Sequence, residues 1–357
     1  MPKVRLSGTV RGTDDPGRKV RAKLLYLLFS AGWDIYNSNG DQRITLSNIE
    51  KKIIESEAFV FTPGATLEDM FKAISIFVGY QTIDRNLAGK PTVILNSDAS
   101  WDPLFAVLDH LNKMGTIKQD HRDFLLTAEG PEEVLETLEL VRLKGLPDAG
   151  REKIGESKTT SFEAPAPDDY IGNVCVFCSA TLEEPSYLAD GEALGRQLAE
   201  NKIGCISGAG RSGIMGAVVD GSVGAGGWTA GSNVPHIIEL EGLPDGLSSF
   251  WLRPDIYTRM EVMIENSDAF VIFPGGAGTV QELLALMIFK HQDNPLMEDK
   301  PVVLFNRANA AGVRFWAPLI ELLNGFCRPG DFQVAESLED ILPAVRAGMA
   351  GRVPAEA

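Results

Sequence analysis

Short apolar runs alternate with longer segments of helical periodicity through the second half of this 357-residue chain. The pattern predicts strands and helices in alternation, an order that is typical of a parallel sheet with helices on both faces. We therefore predict an α/β, doubly wound, Rossmann-like fold, with a longer loop between residues 232 and 255. The predicted strands are residues 173–178, 203–207, 228–232, 269–273 and 301–305, and the predicted helices are residues 187–200, 214–223, 255–265, 279–290 and 316–324.

The first half of the chain repeats several segments of the second half in the same order. Glu55–Gly64 matches Asn266–Gly275, and Lys90–Asn96 matches Lys300–Asn306. Because chance similarity between isolated strands would not preserve this order, we interpret the repeats as an internal duplication.

A polar segment rich in Pro, Gly and charged residues lies between the two patterned halves and predicts a linker. The linker is placed at residues 146–170. The sequence therefore predicts two doubly wound parallel-sheet domains, residues 1–145 and residues 171–357.

A glycine-rich turn follows one of the predicted buried strands of the second half. Residues 273–282 read Phe-Pro-Gly-Gly-Ala-Gly-Thr-Val-Gln-Glu, so a strand, a glycine turn and a helix follow one another. Glycine lets the backbone approach a ligand closely, and a helix beginning near Thr279 directs unpaired N–H groups at the turn. This arrangement favours a bound phosphate. Glu282, one helical turn further on, adds a carboxylate that indicates chemistry beside the phosphate.

A second glycine loop follows the predicted strand at residues 203–207. Gly208, Gly210 and Gly213 have the spacing of a dinucleotide-binding fingerprint. However, the loop follows the second strand of its domain, and residues 228–235, where a ribose-binding acid would lie, contain no Asp or Glu. These departures disfavour an NAD-dependent oxidoreductase. Two phosphate-type loops on neighbouring strands instead favour one mononucleotide held between them.

The composition narrows the class of protein further. A net charge of −16 disfavours a nucleic-acid partner, which would require clustered Lys and Arg. No apolar run approaches the roughly 20 residues that cross a bilayer, and the N-terminus lacks a signal-peptide core, so we expect no membrane partner and a cytoplasmic location. Cys175 and Cys178 lie along an apolar run without a second pair or a nearby His, which favours core residues over redox or metal ligands. We expect no metal and no cofactor.

Several of these motifs together resemble the Lonely Guy (LOG) family. The resemblance covers about residues 171–330 and rests on residues 174–179, Gly208–Gly216, Arg259 and the motif Pro274-Gly275-Gly276-x-Gly278-Thr279-x-x-Glu282. Members of the family are phosphoribohydrolases that split a nucleoside 5′-monophosphate into free base and ribose 5-phosphate, and many carry the mistaken label lysine decarboxylase. The chain offers no recognisable pyridoxal-phosphate site. The resemblance therefore implies an N-glycosidic bond hydrolase acting on AMP or an N6-modified AMP.

The resemblance also implies which residues act. Arg259 and Glu282 would be the catalytic pair. Breaking an N-glycosidic bond passes through an oxocarbenium-like sugar, which a carboxylate can stabilise while it positions water, and a guanidinium can orient that carboxylate. The substrate-binding residues implied are Ser179, Gly208, Gly210, Arg211, Ser212, Gly213, Met215, Gly275, Gly276, Gly278 and Thr279.

Other interpretations of these residues stay open. Thr279 and Glu282 also have capping-box spacing, and Arg211 suits a phosphate or a structural ion pair equally well. Plant-type members of the family have Arg-Lys where this chain has Arg259–Met260, so the base is open to other purines or pyrimidines. The alternative from another class is a non-catalytic carrier of a nucleotide or phosphorylated cofactor.

The first half lacks the residues that the resemblance implies. The repeats place Asn48 at the position of Arg259 and Asp69 at the position of Glu282, and Pro63–Thr66 is shorter than the glycine turn. We therefore predict that the first domain is catalytically silent and packs as the pseudo-subunit of a built-in dimer. A homodimer is the other assembly expected.

Overall fold

The computed structural model describes residues 1–8, 17–37, 46, 53–84, 87, 89–148, 155, 157–309, 311–347 and 349. The chain divides into two compact units, one of Met1–Lys113 with Ile117–Arg151 and one of Met114–Thr116 with Glu152–Ala357. Each unit is built on an all-parallel sheet whose strands alternate with helices, so the predicted α/β fold is confirmed. None of the described helices is both long enough and apolar enough to cross a membrane.

The first unit has a five-stranded sheet in its described residues. Its strands are β1 (Lys3–Ser7), β2 (Asp34–Asn37), β3 (Ala58–Phe61), β4 (Thr92–Leu95) and β5 (Leu125–Ala128), and its helices are α1 (Gly17–Ser30), α2 (Leu67–Gln81), α3 (Asp102–Lys113) and α4 (Pro131–Lys144). The strand order is β2-β1-β3-β4-β5, with every pair parallel. Leu24 of α1 and Leu138 of α4 pack with Val4 of β1 in the core. Asn48 lies outside the described residues.

The second unit has a seven-stranded sheet in its described residues. Its strands are β6 (Gly172–Phe177), β7 (Ile203–Ser207), β8 (Thr229–Asn233), β9 (Ser249–Leu252), β10 (Ala269–Ile272), β11 (Val302–Phe305) and β12 (Gln333–Ala335). Its helices are α5 (Pro185–Glu200), α6 (Gly213–Gly224), α7 (Pro235–Glu241), α8 (Ile256–Glu265), α9 (Ala277–His291), α10 (Ala317–Asn324) and α11 (Ile341–Ala347). The strand order is β12-β11-β10-β6-β7-β8-β9. The direction of winding reverses between β6 and β10, and ligands of such sheets bind outside the carboxyl ends of the strands at that point.

All ten elements that the sequence predicts in this unit are present within a few residues of their predicted bounds. The region predicted as a longer loop also contains α7 and β9. Phe162, in the segment predicted as a linker, exchanges two backbone hydrogen bonds with Phe250 of β9, at 3.0 and 2.7 Å. Residues 161–164 are therefore packed against the sheet of the second unit.

The two units share a topology and equivalent contacts. Read from its other end, the second sheet contains the order β7-β6-β10-β11-β12, which repeats β2-β1-β3-β4-β5 of the first. Asn96 Oδ1 accepts a hydrogen bond from Trp101 N at 3.0 Å, and Asn306 Oδ1 accepts one from Trp316 N at 2.8 Å. Both asparagines are matched residues of the predicted repeat, and the segment Trp101–Leu104 also echoes Trp316–Leu319 in sequence. These contacts support the duplication that the sequence predicts.

Candidate active site

The two glycine segments of the second unit lie at the carboxyl ends of the central strands, where the switch point is. Ser179, just after β6, donates its backbone N–H to Pro274 O at 3.0 Å and accepts from Met215 N at 3.0 Å. The segment after β6 is therefore hydrogen-bonded both to the turn after β10 and to the first turn of α6. The Ser179 hydroxyl accepts from the backbone N–H groups of Thr181 and Leu182, so it shapes its own turn.

The glycines of the turn after β10 and of the start of α9 differ in their surroundings. A Cβ at Gly275 would lie 2.1 Å from Thr279 Oγ1, so the threonine hydroxyl occupies the space that a side chain would fill. Helix α9 begins at Ala277 with Gly276 as its N-cap, and the N-cap makes no side-chain capping bond. The first N–H groups of a helix have no carbonyl partner within it. A Cβ at Gly278 would meet no atom within 4 Å, so this face of the helix start is open to a ligand.

Thr279 and Glu282 do not form a capping box. The helix starts two residues before Thr279, which places that side chain inside the first turn, where it cannot cap. In the first unit the equivalent pair does cap its helix, because Asp69 N donates to Thr66 Oγ1 at 3.2 Å and Thr66 N donates to Asp69 Oδ2 at 3.3 Å. The capping interpretation therefore holds for α2 and is wrong for α9, which leaves Glu282 available for another contact.

That contact is with Arg259 of α8. Arg259 Nη1 lies 3.3 Å from Glu282 Oε1, within hydrogen-bonding and ion-pair distance. The same guanidinium donates from Nε to Ser232 O at the end of β8, at 2.9 Å, and from Nη2 to Gly208 O, at 3.4 Å. Contacts from β8, the Gly208 loop and α9 thus hold the guanidinium in one orientation, as a planar multi-donor group allows.

Both members of this pair are buried, with Arg259 6% and Glu282 5% exposed. Burial raises the pKa of Glu282 to about 7, because an ionised carboxylate loses solvation inside the protein. Arg259 opposes this rise in pKa, and the carboxylate of Glu241 adds to it. At neutral pH Glu282 is therefore present in both its charged and its neutral form, which is the condition that suits a general acid or base.

The glycines of the second loop leave room for neighbouring groups. A Cβ at Gly208 would lie 2.1 Å from Arg259 Nη2, so this glycine admits the guanidinium to the site. Gly210 N donates to Met215 Sδ at 3.0 Å, and Gly213 has φ of +62°, a conformation that glycine adopts readily. Ala209 also has a positive φ, of 54°, which is strained for a residue with a side chain.

Two of the predicted binding residues lie at the surface of this loop. Arg211 is exposed and lies 3.8 Å from Asp245, which is also exposed, so the two side chains are within ion-pair distance at the surface. Ser212 is exposed and is the N-cap of α6, without a side-chain capping bond. The structure thus brings Arg259, Glu282 and Gly208 into contact with one another. Arg211 and Ser212 lie on the exposed side of the loop, outside this group of contacts.

Ser232 and Glu241 also belong to the site, although the sequence did not predict either of them. Ser232 contributes its backbone carbonyl, and every residue type has one, so the residue type at this position does not indicate the contact. Glu241 is the last residue of α7, a helix that falls in the region predicted as a loop. A Cβ at Gly210 would lie 3.3 Å from Glu241 Oε2, so the second carboxylate borders the glycine loop.

Cys175 and Cys178 are core residues, as predicted, and Cys205 is buried with them. Cys175, Cys178 and Cys205 are buried and not in disulfides. Burial raises the pKa of the Cys175 and Cys178 thiols well above the ordinary value, so both are protonated at neutral pH. A protonated thiol is a poor nucleophile and redox group, which agrees with a packing role.

Fold and site together define a doubly wound α/β protein with a buried arginine–carboxylate pair beside a phosphate-type glycine turn. One family model, described as "Possible lysine decarboxylase", matches residues 32–138 and 215–347, one segment in each half of the chain. The chain belongs to this family, which is the Lonely Guy family of the sequence analysis.

Individual relatives are similar to about half of the chain. A "Probable cytokinin riboside 5′-monophosphate phosphoribohydrolase" of Oryza sativa subsp. japonica is 32% identical over 165 residues, which are 44% of this chain and 66% of that protein. The chain thus spans slightly less than two thirds of that relative. A "Cytokinin riboside 5′-monophosphate phosphoribohydrolase" of Rhodococcoides fascians is 27% identical over 184 residues, 49% of this chain and 89% of the relative. Among solved structures, the Moco carrier protein from Chlamydomonas reinhardtii is 20% identical with a TM-score of 0.39, covering 50% of this chain and 98% of its own.

Proposed function

We propose that the second unit hydrolyses the N-glycosidic bond of a nucleoside 5′-monophosphate, releasing the free base and ribose 5-phosphate. The observation that carries the proposal is the buried ion pair of Arg259 with Glu282, because Glu282 lies on a helix that begins at a glycine turn suited to phosphate. The names of the relatives support the same reaction class. Release of free base and ribose 5-phosphate from AMP is the test.

The helix positions the two parts of the site relative to each other. Thr279 and Glu282 are three residues apart on α9, so they are separated by about 4.5 Å along the helix axis. A 5′-phosphate bound at the N-terminus of α9 would therefore bring the ribose of the same molecule beside the Glu282 carboxylate. Binding energy from the phosphate would hold the sugar in place for the reaction.

The chemistry follows from the charges in the site. As the C1′–N bond breaks, its electron pair leaves with the base and the sugar becomes an oxocarbenium-like cation, which ionised Glu282 stabilises. The carboxylate also accepts a proton from the attacking water, whose oxygen forms the new bond to C1′. The departing base takes up one proton, so the net reaction consumes one water. Arg259 keeps the carboxylate oriented through its contact at 3.3 Å.

The substrate class is an AMP-like nucleotide or an N6-modified AMP, and a panel of nucleoside 5′-monophosphates distinguishes the bases.

The first unit would be silent in this reaction. Its Asp69 already accepts hydrogen bonds from Ser7 Oγ at 3.0 Å and from Thr66 Oγ1 at 2.7 Å, and these contacts hold it as a structural group. We propose that this unit serves assembly, as the pseudo-subunit that the duplication implies.

The pH dependence of the reaction should follow the ionisation of Glu282. We expect kcat/KM for AMP to be low near pH 5, to rise through an apparent pKa of about 7, and to level off above it, because the ionised form is required. Arg259→Gln removes the cation that holds the pKa of Glu282 down, so in this variant the rise should move to higher pH. Activity measured across buffers gives both profiles. An identical midpoint in the variant and the wild type would contradict this role of Glu282.

Gly208→Ala tests the orientation of Arg259 without changing either charged residue. The added Cβ would lie 2.1 Å from Arg259 Nη2 and would displace the guanidinium. We expect turnover of AMP to fall by about a hundredfold, the scale of loss that accompanies a displacement of roughly 1 Å in an active site. Gly224→Ala is the matched control, since a Cβ there meets no atom within 4 Å. Equal turnover in the two variants would show that the guanidinium position does not matter.

A further inference from the structure

Three side chains of metal-binding type converge at the C-terminal end of α9, away from the candidate active site. Among the described residues, one ligand atom from each of His291, Cys327 and Asp331 lies within 4.8 Å of the other two. His291 is the last residue of α9, and the other two lie in the segment after α10. The group has no signature in the sequence, because Cys327 is 36 positions after His291, without a recognised ligand spacing.

The geometry of the group suits a tetrahedral cation. Zinc–nitrogen and zinc–oxygen bonds of about 2.0–2.1 Å at tetrahedral angles place two ligand atoms about 3.3–3.4 Å apart. His291 Nε2 and Asp331 Oδ2 are 3.4 Å apart. The Cys327 sulfur completes a set of one nitrogen, one oxygen and one sulfur ligand, the mixture that zinc takes in proteins.

The surroundings orient one of the ligands, and they contain features that favour a cation as well as basic side chains, Arg328 and Lys290, that oppose it. Arg328 N donates to Asp331 Oδ2 at 2.8 Å. This backbone hydrogen bond orients the carboxylate, as hydrogen bonds to the ligating residues do at metal sites. The group lies at the C-terminal end of a helix, where the helix dipole attracts positive charge. The side chain of His291 is 30% exposed, which gives an ion access from solvent. The guanidinium of Arg328, 3.6 Å from Asp331 Oδ1, opposes binding.

We propose that His291, Cys327 and Asp331 bind one Zn²⁺ or a similar borderline divalent cation, with water as the fourth ligand. A thiol ligates a metal as the thiolate, so the cation would displace the proton of Cys327 to solvent on binding. His291 is nine positions after Glu282, about 14 Å along α9, so the cation takes no part in the hydrolytic reaction. It would connect the end of α9 to the segment after α10.

Cobalt provides the most direct test, because a thiolate bound to Co²⁺ gives a charge-transfer absorption band. We expect the untagged full-length protein, after treatment with a chelator, to bind one Co²⁺ per chain with this band, and Zn²⁺ to displace it. Cys327→Ser should lose the band. Asp331→Asn should weaken Co²⁺ binding by at least about tenfold, the scale on which changes around a metal alter its affinity.

Asp293→Asn is the matched control for these variants. Asp293 is an exposed carboxylate that pairs with the same Arg328, at 3.0 Å, and it does not belong to the ligand group. This variant should keep the band and the stoichiometry of the wild type, and Zn²⁺ should raise the thermal unfolding midpoint of both. Absence of the band in the wild type, or its persistence in Cys327→Ser, would overturn the proposal.

Discussion

Glu282→Gln is expected to lower the turnover of AMP by roughly 10² to 10⁴ while the fold stays intact, the usual effect of removing a positioned acid–base group. Gln preserves the shape of the side chain and can still accept a hydrogen bond from Arg259, but it cannot carry the negative charge that stabilises the sugar cation. Arg259→Ala should cause a loss on the same scale, because the carboxylate then lacks its orienting partner at 3.3 Å. Steady-state kinetics together with circular dichroism measure both effects.

The duplication supplies the control for this experiment. Asp69 stands at the position of Glu282 in the repeat, is similarly buried, and lies in the first turn of its helix. Asp69→Asn should leave turnover unchanged, although it removes part of a capping box and should lower stability by about 1 kcal/mol. Turnover of Glu282→Gln within about threefold of the wild type, with a normal circular dichroism spectrum, would refute the catalytic assignment.

The second large effect concerns the phosphate of the substrate. Adenosine differs from AMP by the phosphate alone, and we expect its kcat/KM to be at least about a hundredfold lower, equivalent to roughly 2.7 kcal/mol. The reason is that a group bound at the N-terminus of α9, distant from the reacting bond, would supply energy that positions the ribose against Glu282. Parallel assays with the two substrates measure the ratio directly.

Gly276→Val examines whether the glycine turn is the source of that preference. Gly276 is the N-cap of α9, and a Cβ there would already lie 3.1 Å from Thr116 O, so a branched side chain would crowd the turn beside the first N–H groups. The variant should lose most of the preference for AMP over adenosine. Equal kcat/KM for the two substrates in the wild type would show that the turn does not bind the phosphate.

The central strands of the second sheet could be predicted well because they are short, apolar and buried on both faces. Ala269–Ile272 is fully buried and ends at a glycine turn, so both its type and its end could be predicted. The unpredicted β9 and β12 lie at opposite edges of the second sheet. Edge strands have one neighbour and less continuous apolar character, so their patterns are weaker.

The site could be predicted in part. The motif around Gly275 and Glu282 is local, and the structure places it at the start of one helix. The orientation of Arg259 depends on the carbonyls of Ser232 and Gly208, and main-chain contacts leave no pattern in a sequence. Thr66 and Thr279 show the same limit, since similar spacing caps α2 but lies inside the first turn of α9. The glycine turn before α9 is longer than the turn before α2, and α9 begins two residues before Thr279. Where a helix begins depends on the fold, so the sequence alone could not separate the two cases.

Incubation of the full-length protein with a panel of nucleoside 5′-monophosphates tests the central claim most directly. Free base and ribose 5-phosphate are measured together, so that hydrolysis of the N-glycosidic bond is distinguished from loss of phosphate. We predict that AMP or an N6-modified AMP yields both products in equal amounts, and that Glu282→Gln forms them at least about a hundredfold more slowly. Tight binding of these nucleotides with no release of base from any of them would contradict the account and would identify a carrier instead.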